Sequence, residues 1–446
     1  MTNLSRRRFL QTSSAAAALS GSLHTLALAQ TPSRTLGPND QINLGLIGAG
    51  IRGQSITTTA LQIPNIKLLA VADCYDGRLT HAKEIWGANV ATTRDYKDIL
   101  ARPDIDAVII ATPDHWHRQA AVDAMNAGKD VYLEKPMIHV YPDGPIIIDT
   151  AKKTNRILQV GSQRVSSIVY AKAKELLASG AIGQLNMVAA RWDRSSAQGA
   201  WDYTVPPDAN TTTCDWPRFL GSAPKIPWNG ERFFQWRKWS DYGSGVAGDL
   251  FVHLFSGTHF ITGSTGPTRA MATGGLRYWK DGRNAPDVLL ALFDYPQGFN
   301  LSLRVNFVAG GEDNEGFLFT GSDGSIEIAG NTVTVTRAPM SKAPGYNVAT
   351  FASAMQKEAL DEYHKKYPDT AQTAGTSASV ERFAAPKGYN DTYDHFANFF
   401  NSMRMRSKPV EDATFGFRAA GAALLSNQSM EKGRVVEWNP ETMKLS

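Results

Sequence analysis

Two kinds of hydrophobic pattern follow one another along the chain, and they change near residue 163. From residue 41 to residue 163, short apolar runs alternate with stretches of helical periodicity, which is typical of a parallel sheet covered by helices on both faces. Helices are predicted to begin near Ile51, Gly77, His115 and Tyr141. The runs predicted as strands are 42–48, 66–73, 107–111, 131–134 and 157–161. The pattern therefore predicts a doubly wound α/β domain over 41–163.

Beyond residue 163 the strands follow one another with few helices between them. An amphipathic helix is predicted over 170–179, where Gly180 ends it. Consecutive strands joined by short turns favour a mostly antiparallel, open sheet. These strands are predicted over 185–192, 268–276, 288–295, 300–307, 316–321 and 332–336. The fold class expected for the whole chain is therefore α/β followed by α+β.

The second domain is expected to span 164–390 and to serve both substrate binding and oligomerisation. It contains a Trp-rich insertion at 193–242, and its last part, 342–390, is polar and weakly patterned, as in a surface elaboration. Helices predicted over 393–405 and 415–431 lie in a final segment, 391–446, that is expected to pack back on the core.

The first 29 residues are interpreted as a targeting signal. Residues 5–10 read Ser-Arg-Arg-Arg-Phe-Leu, and an Ala-Leu-Ala cleavage signal ends at residue 29. The segment between them contains Ser, Thr, Gly and His, so it is too polar for a spanning helix. A twin-arginine signal engages machinery that exports folded proteins, which predicts a periplasmic or secreted protein. An arginine-rich disordered tail is the alternative interpretation.

Charge and cysteine content exclude several classes of protein. The formal net charge is +4, and three of these charges are the leader arginines at positions 6–8, so the remaining chain carries about +1. Nucleic-acid binding therefore lacks its usual electrostatic basis. Cys74 and Cys214 are the only cysteines, which excludes a disulfide framework and a Cys-based metal site. No metal is predicted.

A glycine motif opens the first predicted helix. Residues 48–53 read Gly-Ala-Gly-Ile-Arg-Gly directly after a strand, where bare glycines let the backbone approach a pyrophosphate. Asp73 ends the next strand and supplies a carboxylate for the ribose hydroxyls. This carboxylate disfavours a 2′-phosphate, so a tightly bound NAD is expected, although Arg52 and Arg78 leave NADP open. The first domain is therefore predicted to be a Rossmann domain.

Three further motifs carry a family resemblance. Residues 134–136 read Glu-Lys-Pro, residues 111–117 read Ala-Thr-Pro-Asp-His-Trp-His, and residues 243–253 form a glycine-rich stretch that ends in Asp-Leu-Phe-Val-His. Together they resemble the family of glucose–fructose oxidoreductase, inositol dehydrogenase and MocA. The resemblance covers nearly all of 41–337 and includes the helix start at 412–416. The leader, the Trp-rich insertion and the 342–390 extension depart from the shortest family members and resemble its secreted branch.

The resemblance implies a catalytic set. Lys135, aimed by a cis bond to Pro136, would face the substrate hydroxyl beside the nicotinamide. The spacing of four puts Asp249 and His253 on one helix face, and the family places that face opposite Lys135. His253 could then accept the hydroxyl proton, Asp249 could orient the site, and Lys135 could stabilise the developing alkoxide.

Contacts to the two ligands are predicted around this set. For several of these residues the alternative to ligand binding is a purely structural role. His115 and His117 could simply cap or pack a helix, and most tryptophans could pack a long loop. Candidate cofactor contacts are Gly48, Gly50, Ile51, Arg52, Gly53, Asp73, Thr112, Pro113, His117, Glu134 and Gln163. Candidate substrate contacts are Arg191, Trp192, Arg237 and Tyr242, with Arg194 and Tyr203 as further candidates.

Three functions are compatible with these motifs. The first is an exported oxidoreductase that moves hydride between a carbohydrate hydroxyl or carbonyl and bound NAD. The second is an NAD-dependent glycosidase of the N-acetylgalactosaminidase type, which oxidises, eliminates, hydrates and reduces without net redox change. The third is a cofactor-binding protein without activity, in which the acid–base set would be idle. Homo-oligomers are expected by analogy with the family.

Overall fold

A computed structural model of the protein describes residue 37 and residues 40–338, 345–367 and 378–445. The proposed targeting signal at 1–29 lies outside the described residues. The first sheet is parallel throughout, with the strand order β3-β2-β1-β4-β5-β6. Its strands are β1 (Ile42–Ile47), β2 (Ile66–Ala72), β3 (Ala91–Thr93), β4 (Ala107–Ile110), β5 (Asp130–Leu133) and β6 (Leu158–Val160).

The first sheet is buried on both faces because its strands are apolar at nearly every position. Along β4, Ala107 and Ile109 face one hydrophobic cluster, whereas Val108 and Ile110 face the other. Five helices accompany the strands, namely α1 (Ile51–Ala60), α2 (Asp76–Trp86), α3 (Tyr96–Leu100), α4 (His117–Asn126) and α5 (Asp143–Thr154). This arrangement places the carboxyl ends of all six strands at one edge, where ligands of doubly wound sheets bind.

The second sheet has the order β14-β13-β12-β11-β7-β10-β9-β8-β15-β16 and is antiparallel except where β7 pairs with β10. Its central strands are β7 (Leu185–Asp193), β8 (Arg269–Gly275), β9 (Val288–Asp294), β10 (Asn300–Asn306) and β11 (Asn314–Gly321). The outer strands are β12 (Gly324–Ala329), β13 (Thr332–Arg337), β14 (Ser379–Ala384), β15 (Val436–Asn439) and β16 (Lys444–Leu445). The predicted fold class, a doubly wound parallel sheet followed by an open antiparallel one, is confirmed.

One face of the second sheet packs on helices and the other is open. Along β9, Leu289 and Phe293 are buried, whereas Leu290 and Leu292 point outward and are 43% and 59% exposed. The covering helices are α6 (Ile168–Ala178), α9 (Val252–Thr262) and α12 (Ala413–Lys432). The other helices beyond residue 163 are α7 (Trp216–Leu220), α8 (Gly230–Phe234), α10 (Ser353–Lys366) and α11 (Asp391–Met405).

The C-terminal helices return to the first domain. The Phe396 ring stacks on Tyr132 of β5 at a centroid distance of 4.2 Å, and Phe399 and Phe400 complete that core cluster. Asp412 caps α12 by accepting a hydrogen bond from the Phe415 amide. Both domains therefore share packing with the final segment of the chain.

Several elements were not predicted, for a common physical reason. β14 and α10 lie in the region predicted to be a surface elaboration, and five of the six β14 residues are exposed, so no apolar alternation marks it. The three-residue strand β3 and the terminal strands β15 and β16 are too short to show a period. Among the described residues, no helix combines the length and the apolar character needed to cross a membrane.

Candidate active site

A cavity of about 380 Å³ lies at the carboxyl ends of the first sheet and continues under the second domain. Its volume is within the range of small-molecule sites. The first domain contributes the glycine turn, the end of β2 and the loops after β4 and β5, and the second contributes Trp192, Asp249 and His253. Side chains from both domains therefore face one another across a common space.

The three glycines of the motif have different reasons to lack a side chain. A Cβ at Gly48, which has φ +92°, would lie 2.6 Å from the Ala111 carbonyl oxygen, and one at Gly53 would lie 2.0 Å from the Gly48 oxygen. A Cβ at Gly50 would meet nothing closer than 3.8 Å, at Arg78. Gly48 and Gly53 are thus required by the protein's own packing, whereas at Gly50 the chain leaves space open toward the cavity.

The turn leads into an uncapped helix. Gly50 precedes α1 without a side-chain cap, so amides of the first turn remain available to an anion. Asp73 fixes the turn against the end of β2, because its Oδ2 accepts from the Ala49 amide at 2.8 Å and its Oδ1 from the Tyr75 amide at 3.0 Å. The Arg78 guanidinium lies 3.5 Å from that Oδ1.

These residues fit a dinucleotide. The open space at Gly50 and the bare helix start suit a pyrophosphate, and Asp73 keeps lone pairs for ribose hydroxyls. Thr112 Oγ1, which is buried and has no hydrogen-bond partner among the described residues, lies on the same wall of the cavity. Gln163 lies on the Lys135 side and is held by the Arg52 guanidinium at 3.1 Å.

The Trp-rich insertion covers the end of the cavity next to Asp73. Its backbone is joined to the loop after β2, since the Asp215 amide donates to the Cys74 carbonyl at 2.7 Å and the Asp76 amide donates to the Thr213 carbonyl at 3.0 Å. Three phenylalanines of the insertion line the cavity there, namely Phe219, Phe233 and Phe234. The Arg78 guanidinium lies over the Phe234 ring, 5.2 Å from its centroid. We call these three rings the aromatic roof.

At the other end of the cavity, Lys135 and Asp249 form an ion pair between the domains. Lys135 precedes a cis bond to Pro136 and its Nζ donates to both the carboxylate and the backbone carbonyl of Asp249, each at 2.7 Å. Burial lowers the pKa of the Lys135 ammonium, and the negative charge of Asp249 opposes that shift. The pair is about nine-tenths buried on both sides.

Asp249 has further partners. Its Oδ2 accepts from the Trp201 indole at 3.0 Å, and its Oδ1 lies 3.3 Å from Arg237 Nε. Arg194 lies 3.7 Å from the Oδ2. Burial alone would raise the pKa of the Asp249 carboxyl, but Lys135, Arg237 and Arg194 outweigh it and hold the pKa well below its usual range. Asp249 is therefore an anion and an anchor rather than a proton donor.

His253 lines the same cavity with a neutral imidazole. Burial lowers the pKa of its imidazole well below the usual range, and the positive charges of Lys135 and Arg52 add to that shift. The ring lies against Trp192, with centroids 5.0 Å apart, and its Nδ1 has no hydrogen-bond partner among the described residues. A neutral imidazole next to a lysine in a partly closed cavity can serve as a general base.

Local packing sets the orientation of the Asp249 segment. Residues Ala247–Phe251 form a single π turn before α9, and such turns often occur at functional sites. Asp114 accepts hydrogen bonds from the amide and the hydroxyl of Ser244 at 2.9 and 2.7 Å. A Cβ at Gly248 would lie 2.3 Å from Ser244 Cβ and 3.1 Å from Pro136 Cγ, so glycine allows the turn to pack against both residues.

Most of the predicted site residues line this cavity, and their individual roles stay predictions. The predicted catalytic residues that line it are Lys135, Asp249 and His253. The predicted cofactor contacts that line it are Gly48, Gly50, Ile51, Arg52, Asp73, Thr112, Pro113 and Gln163. The predicted substrate contacts that line it are Trp192 and Arg237, together with the further candidates Arg194 and Tyr203.

Three predicted cofactor contacts lie behind the cavity wall. The two ring nitrogens of His117 lie 2.7 Å from the Pro136 oxygen and 3.0 Å from the Thr112 oxygen, so the ring links two loops. Glu134 is buried and accepts from Arg52 Nε at 2.8 Å. Gly53 packs on the backbone of the turn. These residues shape the site without facing it.

Two predicted substrate contacts are placed elsewhere. Neighbouring residues of a strand point to opposite faces, so Trp192 faces the cavity while Arg191 lies on the open face beside Leu290 and Arg304. Tyr242 is fully buried in the aromatic cluster of the insertion, where its ring packs against Phe219. Neither side chain reaches the cavity.

The structure adds residues that the sequence did not single out. Trp201 has φ +67°, rare for a residue with a side chain, and its indole holds Asp249. Phe234 lies at the roof under Arg78, which the sequence had named only as a possible 2′-phosphate contact. The Trp-rich composition drew attention to the insertion, but nothing local in the sequence distinguishes the ring that binds the carboxylate from those that pack the loop.

Comparison with known proteins agrees with this geometry. Residues 42–162 match an oxidoreductase family with an NAD-binding Rossmann fold, and residues 218–327 match a GFO/IDH/MocA C-terminal domain. Over 177 residues the chain is 31% identical to a glycosyl hydrolase family 109 protein of Shewanella sp. (strain W3-18-1), covering 35% of this chain and 39% of that protein. Over 152 residues it is 30% identical to an inositol 2-dehydrogenase of Salmonella paratyphi B, covering 34% and 45%.

The matched regions cover only part of each relative. The chain spans less than half the length of the curated relatives it matches. Among solved structures, a levoglucosan dehydrogenase in complex with NADH has a TM-score of 0.65 at 17% identity, over 89% of this chain and 99% of that chain. At that identity the likeness shows the fold. The first domain is an NAD-binding Rossmann domain.

The different surroundings of the glycines give a paired prediction. Gly50→Val should leave the nucleotide-free protein folded but lose NAD, because the new side chain would occupy the ligand's space. Gly53→Ala should destabilise the fold by about 1–3 kcal/mol through overpacking against the turn. Nucleotide content after acid extraction and thermal unfolding of the nucleotide-free proteins measure the two effects. A Gly50→Val protein with full NAD content would contradict this placement of the pyrophosphate.

Proposed function

The chain belongs to the oxidoreductase family of glucose–fructose oxidoreductase, inositol dehydrogenase and MocA, and we propose that it transfers hydride between a carbohydrate hydroxyl and a retained NAD. The observation that carries the proposal is the convergence of Lys135, Asp249 and His253 on the cavity that also contains the glycine turn. An anchored lysine, a neutral imidazole and a dinucleotide site are the parts that alcohol oxidation requires.

Each side chain has a distinct role in this reaction. The glycine turn and Asp73 would hold NAD, which would supply the hydride acceptor for the carbon that bears the reacting hydroxyl. The hydroxyl loses its proton to the His253 imidazole, which is neutral because burial and nearby cations depress its pKa. The Lys135 ammonium, fixed by Asp249, stabilises the negative charge that develops on the oxygen. In the reverse direction, Lys135 would polarise the carbonyl and the protonated His253 would return the proton.

Retention of the cofactor is supported by the aromatic roof. Phe219, Phe233 and Phe234 lie over the Asp73 end of the cavity, and backbone hydrogen bonds join this cover to the loop after β2. A cofactor under such a cover leaves only when the insertion moves. We therefore propose that NAD stays bound through turnover and that a second carbonyl or hydroxyl substrate restores its redox state.

A redox-neutral glycosidase is the second candidate, favoured by the similarity to glycosyl hydrolase family 109 proteins. Oxidation of a ring hydroxyl acidifies the neighbouring C–H bond, so the anomeric substituent can be eliminated, water added and the hydride returned. Lys135, Asp249 and His253 would act in its first and last steps. The two candidates therefore differ in the steps after oxidation.

Export and self-association are further proposals. The leader motif at residues 5–10 supports twin-arginine export of the folded, NAD-loaded protein to the periplasm or beyond. Exposed apolar side chains on the open face of the second sheet, with Met271 61% and Leu292 59% exposed, support a homo-oligomer that covers this face.

The two enzymatic candidates predict different products. We expect the purified protein, without added cofactor, to show partial NADH absorbance when incubated with free sugars, and to release no aglycone from aryl glycosides. Aglycone release without lasting NADH would instead support the glycosidase. If neither absorbance nor aglycone changes across a broad panel of sugars and glycosides, both candidates are wrong.

Catalytic variants should separate chemistry from cofactor binding. Lys135→Met and His253→Ala should each slow single-turnover reduction of bound NAD by on the order of a hundredfold or more, because each removes a group that acts on the substrate hydroxyl. NAD content should stay at the wild-type level in both, and Arg191→Met, on the opposite sheet face, is the matched control. Near wild-type reduction rates in both variants would place the chemistry elsewhere.

The export proposal has its own test. Replacing Arg6, Arg7 and Arg8 by lysine should hold the full-length protein in the cytoplasm with its leader attached, since the export machinery recognises paired arginines. Cell fractionation with immunoblotting measures the distribution. Unchanged export of the triple-lysine protein, or cytoplasmic retention of the wild type, would contradict the proposed twin-arginine signal.

A further inference from the structure

Positive charge is in excess along the cavity. Seven cationic side chains line it, namely Arg52, Arg78, Arg94, Lys135, Arg194, Arg218 and Arg237. Within the described part of the chain, Asp73 and Asp249 are the only carboxylates among the lining residues. Arg94 pairs with Asp76 and Arg218 with Asp215, outside the cavity. Arg52 and Arg78 adjoin the glycine turn, where Arg52 pairs with Glu134 and Arg78 lies 3.5 Å from Asp73.

The excess of cationic side chains that lies away from the glycine turn is at the Lys135 end of the cavity. There a single lining carboxylate, Asp249, faces Lys135 at 2.7 Å, Arg237 at 3.3 Å and Arg194 at 3.7 Å. The shortest contact is the lysine's, and the two arginine contacts are long for ion pairs. Lys135 is therefore the main ion-pair partner of the Asp249 carboxylate, and Arg237 and Arg194 are only weakly paired with it.

Acids behind the wall form no ion pair with these two arginines in the described residues. Glu134 pairs with Arg52, whereas Glu315 and Asp391 share one cation, Arg164. Asp114 accepts from Ser244 and lies within electrostatic reach of Arg237. Among the described residues, Asp249 is therefore the only carboxylate that forms an ion pair with Arg237 or Arg194.

Both arginines present donors to the cavity. Among the described residues, the terminal nitrogens of Arg237 donate to no acceptor, and its guanidinium is held 4.2 Å from the centroid of the Trp236 ring. Arg194 is braced by the Gly199 carbonyl at 3.0 Å through Nη1, and its Nη2 has no acceptor in the same residues. The two side chains are 24% and 21% exposed. They are fixed in place but not saturated.

We propose that the sugar substrate carries one negative charge, and that Arg237 and Arg194 bind it next to the reacting hydroxyl. This inference rests on the proposed function and specifies its substrate class. Two fixed guanidinium groups with unpaired donors match an anion, and the planar donor fork of arginine matches a carboxylate. A uronic acid is the class that fits, and the apolar surface of Trp192 and Trp236 lines the same cavity.

Binding and reduction are measured separately on the NAD-loaded protein. The ligands are glucuronate, its methyl ester, glucose, a sugar sulfate and a sugar phosphate. Calorimetry gives affinity, and single-turnover absorbance gives the rate of NAD reduction. We expect glucuronate to bind on the order of tenfold or more tightly than its methyl ester or glucose, since hydrogen bonds to charged groups are worth that much. The affinities of the sugar sulfate and the sugar phosphate show which anion the two guanidinium groups prefer.

Variants assign the preference to the two arginines. Arg237→Met and Arg194→Met should each reduce the ratio of glucuronate to methyl-ester affinity by about tenfold while NAD content stays constant. Arg191→Met, on the opposite face of the sheet, should keep the wild-type ratio. Lys in place of Arg237 should restore part of the preference, because it keeps the charge and loses the fork.

The outcomes distinguish this inference from the proposed function. Equal or tighter binding of the neutral sugar would overturn the inference even if that sugar reduces NAD. Equal losses for charged and neutral ligands in Arg237→Met would also overturn it, as would loss of NAD from that variant. Binding of glucuronate that depends on Arg237, without any reduction of NAD, would support the anionic site and contradict the proposed function.

Discussion

The ion pair between the Lys135 ammonium and the Asp249 carboxylate joins the two domains at the cavity, and the rest of the site is arranged around it. Lys135 lies just beyond the end of β5, whereas Asp249 comes from a π turn of the second domain. Removing one partner of a buried pair costs about 3–5 kcal/mol, far more than an exposed ion pair contributes. The pair therefore ties the loop after β5 to the segment that leads into His253.

Two constraints on space complete the arrangement. At one end the glycine turn keeps Gly50 bare, while Gly48 and Gly53 are bare because the fold needs the room. At the same end, the insertion adds a cover of aromatic rings. At the other end, Asp249 contacts Trp201, Arg194 and Arg237, which lie on the His253 side of the cavity. Cofactor retention and substrate selection are thus assigned to opposite ends of one cavity, and both depend on the same insertion.

The sequence predicted the parts that local spacing determines. The glycine turn, the terminal acid of β2 and the four-residue spacing of Asp249 and His253 are short-range features, so pattern and family resemblance identified them. Strand periodicity identified β7 but not its orientation, so Arg191 and Trp192 were assigned to the same site although they face opposite ways. His117 lies behind the cavity wall because its ring is hydrogen-bonded to the Pro136 carbonyl, nineteen residues later in the chain. Local sequence does not show such a long-range contact.

We propose that the glycine turn and the Lys135–Asp249–His253 set serve one hydride transfer. A substrate sugar deuterated at the reacting carbon tests this when the label is followed into the bound cofactor by mass spectrometry. Deuterium should appear on the nicotinamide ring, with a primary isotope effect on the reduction rate. Substrate turnover that leaves the bound nicotinamide unlabelled would contradict it.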